Sequence, residues 1–223
     1  MARGKDVESR GVKIPANGLT LEGNLAIPRG AQGIVLFAHG SGSGRFSPRN
    51  NFVAGALQEG GLGTLLIDLL TEEEAQDRRL VFDIELLAER LLKATAWLRR
   101  QPETKALRIG YFGASTGAAA ALQAAAQEGQ AIGAVVSRGG RPDLAASYLP
   151  IVTAPTLLIV GGDDVPVIEL NQRACDLLRC PKELVVIPGA THLFPEPGAL
   201  EEVARLAREW FGRYLGRLAE RTV

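Results

Sequence analysis

Short, continuous apolar runs alternate with helical stretches along most of this chain, and few folds accommodate that rhythm. Gly33–Ala38 (GIVLFA) is the clearest run, apolar at every position as a strand covered by helices on both faces must be. Similar runs follow at Gly63–Leu70, Arg108–Phe112, Ala134–Ser137, Thr156–Val160 and Leu184–Ile187. Helical patterns fill the intervals at Asn51–Glu59, Val81–Arg100, Thr116–Gln127, Val167–Leu178 and Ala199–Leu218. Upstream, Leu19–Ile27 alternates like a half-exposed strand, with Pro15 and Pro28 at its margins. The repeated alternation argues for an α/β protein: three α/β/α layers around a mostly parallel, twisted sheet with helices on both faces. No internal repeat or long linker interrupts the 223 residues, so one domain over 1–223 is the economical expectation. Within it, 1–13 reads as a flexible or edge-packing segment. Thr71–Asp83, acidic and then basic, reads as a surface loop over the sheet edge.

Composition removes several function classes. Lys+Arg and Asp+Glu balance at 25 each, which gives no net field toward nucleic acid or an anionic membrane. No apolar run approaches the ~18 residues needed to cross a bilayer, and the polar start Met1–Lys13 has no signal-like character. With two cysteines, Cys175 and Cys180, a soluble cytoplasmic protein is the default expectation, as monomer or homodimer.

Open α/β sheets build their sites where strands end at the carboxyl side, so the chemistry should lie at those ends. Gly113-Ala114-Ser115-Thr116-Gly117 fits G-x-S-x-G between a strand (RIGYF) and an alanine-rich helix (TGAAAALQAAA). A strand turning sharply into a helix strains the pivot residue and projects its hydroxyl, which makes Ser115 the candidate nucleophile. A serine hydroxyl needs a positioned base, and the chain has two histidines. His39 directly follows GIVLFA and suits a brace for its loop. His192, in PGATHLF, follows the last strand, and only it satisfies the order Ser…Asp/Glu…His. The acid should lie between them, and Asp163 and Asp164 alone follow a strongly apolar strand through a glycine turn. Position does not separate these two; the neighbour of the catalytic one could cap the following helix. For a developing oxyanion, the backbone N–H of Thr116 is one donor and that of Ser41, preferred over Gly40, is the other. Arg45, Arg49, Arg138 and Arg141 crowd the same rim, where guanidinium forks suit a carboxylate or phosphate. Substrate contact is expected of Arg138, Arg141 and Arg45, against the plainer alternative of surface arginines paired with acids such as Asp143. No metal and no cofactor is called for, and HGSGSG lacks the G-K-[ST] ending of a phosphate loop.

HGSGSG, GASTG, VGGDDVPV and PGATHLF, in that order, resemble the α/β-hydrolase superfamily and within it the dienelactone-hydrolase-like group. The resemblance runs from Leu19 to Leu218 and implies a compact hydrolase core with no large cap domain. In that pattern the acid is the aspartate of G-x-x-D-x-x-V, which assigns it to Asp164. One departure is that dienelactone hydrolases proper carry a cysteine in the elbow where this chain has Ser115, so dienelactone specificity does not follow. The implied activity is hydrolysis of small-molecule carboxylic esters through an acyl-enzyme with a Ser115–His192–Asp164 triad, and the rim arginines would suit an anionic substrate. Peptidase, thioesterase or acyltransferase activity would share the machinery, and an inert binding module is the rival of another class. The geometric expectation is a Ser115 hydroxyl within about 3.5 Å of one His192 nitrogen, with Asp164 on the other.

Overall fold

In a computed structural model that describes residues 7–216, eight strands and six α-helices follow one another along the chain. They are β1 (Val7–Ala16), β2 (Leu19–Pro28), β3 (Gly33–Ala38), α1 (Pro48–Glu59), β4 (Gly63–Ile67), α2 (Arg78–Val81) and α3 (Ile84–Leu98). Then come β5 (Arg108–Ala114), α4 (Thr116–Glu128), β6 (Ile132–Arg138), β7 (Thr156–Gly161), α5 (Val165–Leu177), β8 (Lys182–Ile187) and α6 (Ala199–Leu215). The strands form one sheet in the order β1-β2-β4-β3-β5-β6-β7-β8. The β1–β2 and β2–β4 pairs are antiparallel, and every pair from β4 to β8 is parallel.

Each face of the sheet carries its own apolar layer. One gathers Leu36, Tyr111 and Val135 with the buried sides of α3 and α4; the other gathers Phe37, Phe112 and Val136 with α1 and α6. Strands β3 and β4 are buried at every residue, which is why their sequences show no alternation. The helix α4 is buried along Thr116–Ala125, and its run of alanines lets it lie close against the sheet. Among the described residues no helix is long and apolar enough to cross a membrane.

One expectation narrows and one changes. Of the flexible and edge-packing alternatives for 1–13, the described part takes the second: from Val7 onward it is edge strand β1, whose Val12, Ile14 and Ala16 point inward; residues 1–6 lie outside the described residues. A two-residue turn at Asn17-Gly18, both with positive φ (44° and 82°), closes the β1–β2 hairpin in the manner that twisted strands favour. The segment Thr71–Asp83 is also more than a loop. Thr71 and Glu74 cap each other reciprocally, the Thr71 N–H donating to the Glu74 carboxylate and the Glu74 N–H to the Thr71 hydroxyl. Arg90 of α3 pairs with the same Glu74 at 2.9 Å, Asp77 caps α2 and Asp83 caps α3. The acidic residues there are helix caps and an anchor. Leu218, the expected end of the last helix, lies outside the described residues; α6 ends at Leu215.

Candidate active site

The rim where β3 to β8 end at their carboxyl side collects the candidate residues. Ser115 sits between β5 and α4 with φ 52° and ψ −122°, backbone that a non-glycine residue adopts only when its surroundings hold it there. The flanking glycines are those surroundings. A Cβ on Gly117 would stand 2.2 Å from the Ala38 carbonyl, and one on Gly113 would stand 2.4 Å from the Ala118 Cα. The pattern G-x-S-x-G is thus a packing requirement as well as a motif. The Ser115 N–H donates to the Arg138 carbonyl at 3.3 Å, and its carbonyl accepts from the Arg141 N–H at 3.1 Å, so the β6 loop holds the elbow from the far side.

The same loop meets the histidine. A Cβ on Gly139 would lie 3.0 Å from the His192 carbonyl and 3.5 Å from its Nδ1, while the Gly139 N–H donates to Ile159 at 2.8 Å. The loops after β7 and β8 are stitched together by backbone bonds from Gly162 N–H to Ile187 (2.8 Å) and from Asp163 N–H to Ala190 (2.9 Å). The chain bends back at Phe194, whose φ is 56°, and Phe194 itself is buried. The result is a His192 Nδ1–H that donates to Asp164 Oδ2 at 2.6 Å, with Asp164 only 15% exposed and His192 38% exposed at the side chain. Asp164 occupies the N-cap position of α5 yet makes no capping bond, which leaves its carboxylate to the imidazole. Asp163 is exposed and does not cap the helix, contrary to the use suggested for the second aspartate. No hydrogen bond joins the Ser115 hydroxyl to His192 among the described residues.

A cavity of about 610 Å³ opens beside the elbow, lined by Gly40, Ser41, Thr116, Phe46, Leu70 and Val81 among others. Its outer wall is the capped segment 71–83, which sequence reading left as a surface loop although the T-x-x-E of Thr71–Glu74 was a legible sign of order. Gly40 packs against Ser115, since a Cβ there would be 2.9 Å from the Ser115 Cβ. The N–H groups of Ser41 and Thr116 donate to no carbonyl among the described residues, and both residues line the cavity. His39 braces this loop. Its Nε2 accepts the Leu69 N–H at 2.9 Å, which places its proton on Nδ1, donating to Gly40 at 2.9 Å. Burial holds His39 below the ordinary imidazole range.

The arginines divide. Arg45 lines the cavity, but its guanidinium is bound to the carboxylates of Asp68 and Glu22, and its N–H to Asp68 at 2.7 Å. Arg141 makes a two-pronged pair with Asp143 (2.9 and 2.8 Å), and that hydrogen bonding raises its pKa further. Both follow the surface-pairing alternative. Among the described residues, Arg138 alone of the three has no acidic partner. Cys175 and Cys180 are free thiols, at the end of α5 and just beyond it, away from the elbow.

A strand–elbow–helix at the centre of a mostly parallel sheet, with acid and histidine loops at neighbouring strand ends, defines an α/β-hydrolase fold. The family model described as the dienelactone hydrolase family matches residues 22–215. The chain belongs to that family. A crystal structure of dienelactone hydrolase from Anabaena variabilis is 60% identical, superposes with a TM-score of 0.92, and covers 94% of this chain and 99% of its own. Est1E from Butyrivibrio proteoclasticus, solved with ferulic acid bound, shares the fold at 18% identity and TM-score 0.80, covering 91% of this chain and 98% of its own. A relative in Mycobacterium tuberculosis H37Rv, provisionally named a phosphoribosyl transferase, is 58% identical over 200 residues. That match spans 90% of this chain but 45% of the relative, so the chain spans about half the length of these curated relatives.

Proposed function

We propose that the protein hydrolyses carboxylic esters of small molecules through an acyl-enzyme on Ser115. The observation that carries this reading is the 2.6 Å bond from His192 Nδ1–H to Asp164, which leaves Nε2 as a base on the same rim as the strained Ser115 elbow. His192 Nε2 takes the Ser115 proton as Oγ attacks the ester carbonyl carbon. The N–H groups of Thr116 and Ser41 receive the oxyanion. The tetrahedral adduct collapses, the alkoxide leaves with the proton from His192, and the acyl group stays on Oγ. Water, deprotonated by His192, then attacks the acyl carbon; the acid departs and Ser115 regains its proton. The Ser115–His192 hydrogen bond belongs to the complex with substrate, since such bonds commonly tighten only there.

The dienelactone hydrolase name of the Anabaena variabilis protein and the ferulic acid in Est1E both support a small-molecule ester pocket. The transferase name of the Mycobacterium tuberculosis relative belongs to a protein more than twice as long as the matched part, and it is not carried over. Two free thiols suit a reducing compartment, and we place the enzyme in the cytoplasm. Rapid mixing with p-nitrophenyl acetate tests the reading. A burst of nitrophenol equal to the enzyme, with an acetyl adduct on Ser115 by mass spectrometry, is expected; no adduct and no turnover across a panel of esters would contradict it.

A further inference from the structure

The backbone of Arg138 and Gly139 runs between the candidate nucleophile and base, and among the described residues no acid pairs with the Arg138 guanidinium. Its carbonyl accepts the Ser115 N–H, and the next residue, Gly139, faces the His192 ring. Its side chain leaves the sheet on the α1 and α6 face, where the guanidinium stands 5.9 Å from the centre of the Phe194 ring. Arg138 is only 7% exposed, and its Nε and Nη1 are buried without a hydrogen-bond partner. The charge that bears on it is a second cation, Arg49, at the second position of α1, whose Nε is also buried and unpartnered. Burial and the Arg49 charge push Arg138 down to about 10.

Such an arrangement is costly, because a desolvated guanidinium gains nothing from a like charge and leaves its N–H groups unmet. The other two rim arginines are neutralised by Asp68, Glu22 and Asp143. The potential at the start of the twelve-residue α1 adds to the positive field at the same point. What offsets all three is an anion. Two guanidinium groups with no acid between them among the described residues carry a charge that a single carboxylate only half neutralises, whereas a phosphate monoester is close to doubly charged and offers three acceptor oxygens.

We propose that Arg49, at the start of α1, and Arg138, at the end of β6 where its carbonyl holds the Ser115 N–H, form a site for a dianionic phosphate group of the substrate. Its part in substrate choice rests on the ester-hydrolase reading above; the binding of phosphate does not.

Calorimetric titration of the Ser115→Ala protein at pH 8, with inorganic phosphate and in parallel with acetate, tests the site. One phosphate should bind per chain, more tightly than acetate by at least about tenfold, and more weakly as chloride is raised. Arg138→Met, which keeps the length of the side chain and removes its charge, should weaken phosphate by at least about tenfold. Should that variant not fold, Arg49→Gln, at a partly exposed position, carries the same readout. Phosphate affinity unchanged by the folded substitution, or no tighter than acetate, overturns the proposal. A protein whose Ser115 reacts with a fluorophosphonate but which binds no phosphate would refute this site and leave the hydrolase reading intact. Phosphate binding without labelling would do the reverse.

Discussion

His39 follows β3 and His192 lies beyond β8, at the same rim of the sheet, and they are the two histidines of the chain. The first commits both ring nitrogens to backbone, donating to Gly40 and accepting from Leu69, and burial keeps it neutral. The second commits one nitrogen, to the Asp164 carboxylate, and remains partly open to solvent. An imidazole can serve as a base only if one nitrogen is free and the other partner favours the positive charge that forms. By that criterion His192 meets the requirements of the proposed base, and His39 holds the loop that carries Gly40 and Ser41. The sequence order makes His192 the candidate base and His39 the candidate brace on independent grounds.

The largest effect should come from the open histidine and its partner. Ser115→Ala and His192→Ala should each lower kcat/KM for a good ester by roughly 10³-fold or more, and the double variant should be little worse than either. Losses that multiplied would mean that the two residues act independently. Asp164→Asn should cost about 10²–10⁴-fold by presenting the wrong tautomer, while Asp163→Asn should change little. Equal losses at the two aspartates would break the assignment of the acid.

The brace predicts a change in stability. His39→Leu leaves the Leu69 N–H and the Gly40 carbonyl unmet, and should lower the unfolding free energy by about 1–3 kcal/mol in urea titration. The pH dependence sharpens the point. The folded pKa of His39 is depressed, so below about 6.5 the unfolded chain binds a proton that the native state does not. The His39 contribution to stability is therefore present above that pH and is lost as pH falls toward the folded value. His39→Leu should lose this part of the pH slope; an unaltered slope would show that His39 is not the group responsible.

The smallest effect belongs to the paired arginine. Arg141 is more than a third exposed at its side chain and bound to Asp143. Arg141→Ala should change stability by no more than about 1 kcal/mol and leave ester turnover near wild type. A large loss of turnover would return Arg141 to the substrate site.

How far the chain is legible depends on the range of the forces involved. The run GIVLFA coincides with β3, and the elbow stands where strand and helix patterns meet, because burial and turn sterics act over a few residues. Strand β1 escaped because its first half, VESRG, is exposed at an edge and shows no apolar period; only Val12, Ile14 and Ala16 face the core. The cavity wall at 71–83 escaped because its helices are short and held by caps and by Arg90, not by an apolar face. The arginines were the least legible. Arg45 finds Asp68 and Glu22, each 23 residues away, and whether a guanidinium meets an acid or another arginine is decided by packing across the sheet.

The most direct test of the central claim, that Ser115 is a nucleophile activated by the open histidine, is reaction with a fluorophosphonate probe followed by peptide mass mapping. Such a probe requires an activated serine and no knowledge of the substrate. The account predicts a single adduct on Ser115, lost in His192→Ala and retained in the folded fraction of His39→Leu. No adduct in the folded wild-type protein, or one that survives His192→Ala undiminished, would contradict it.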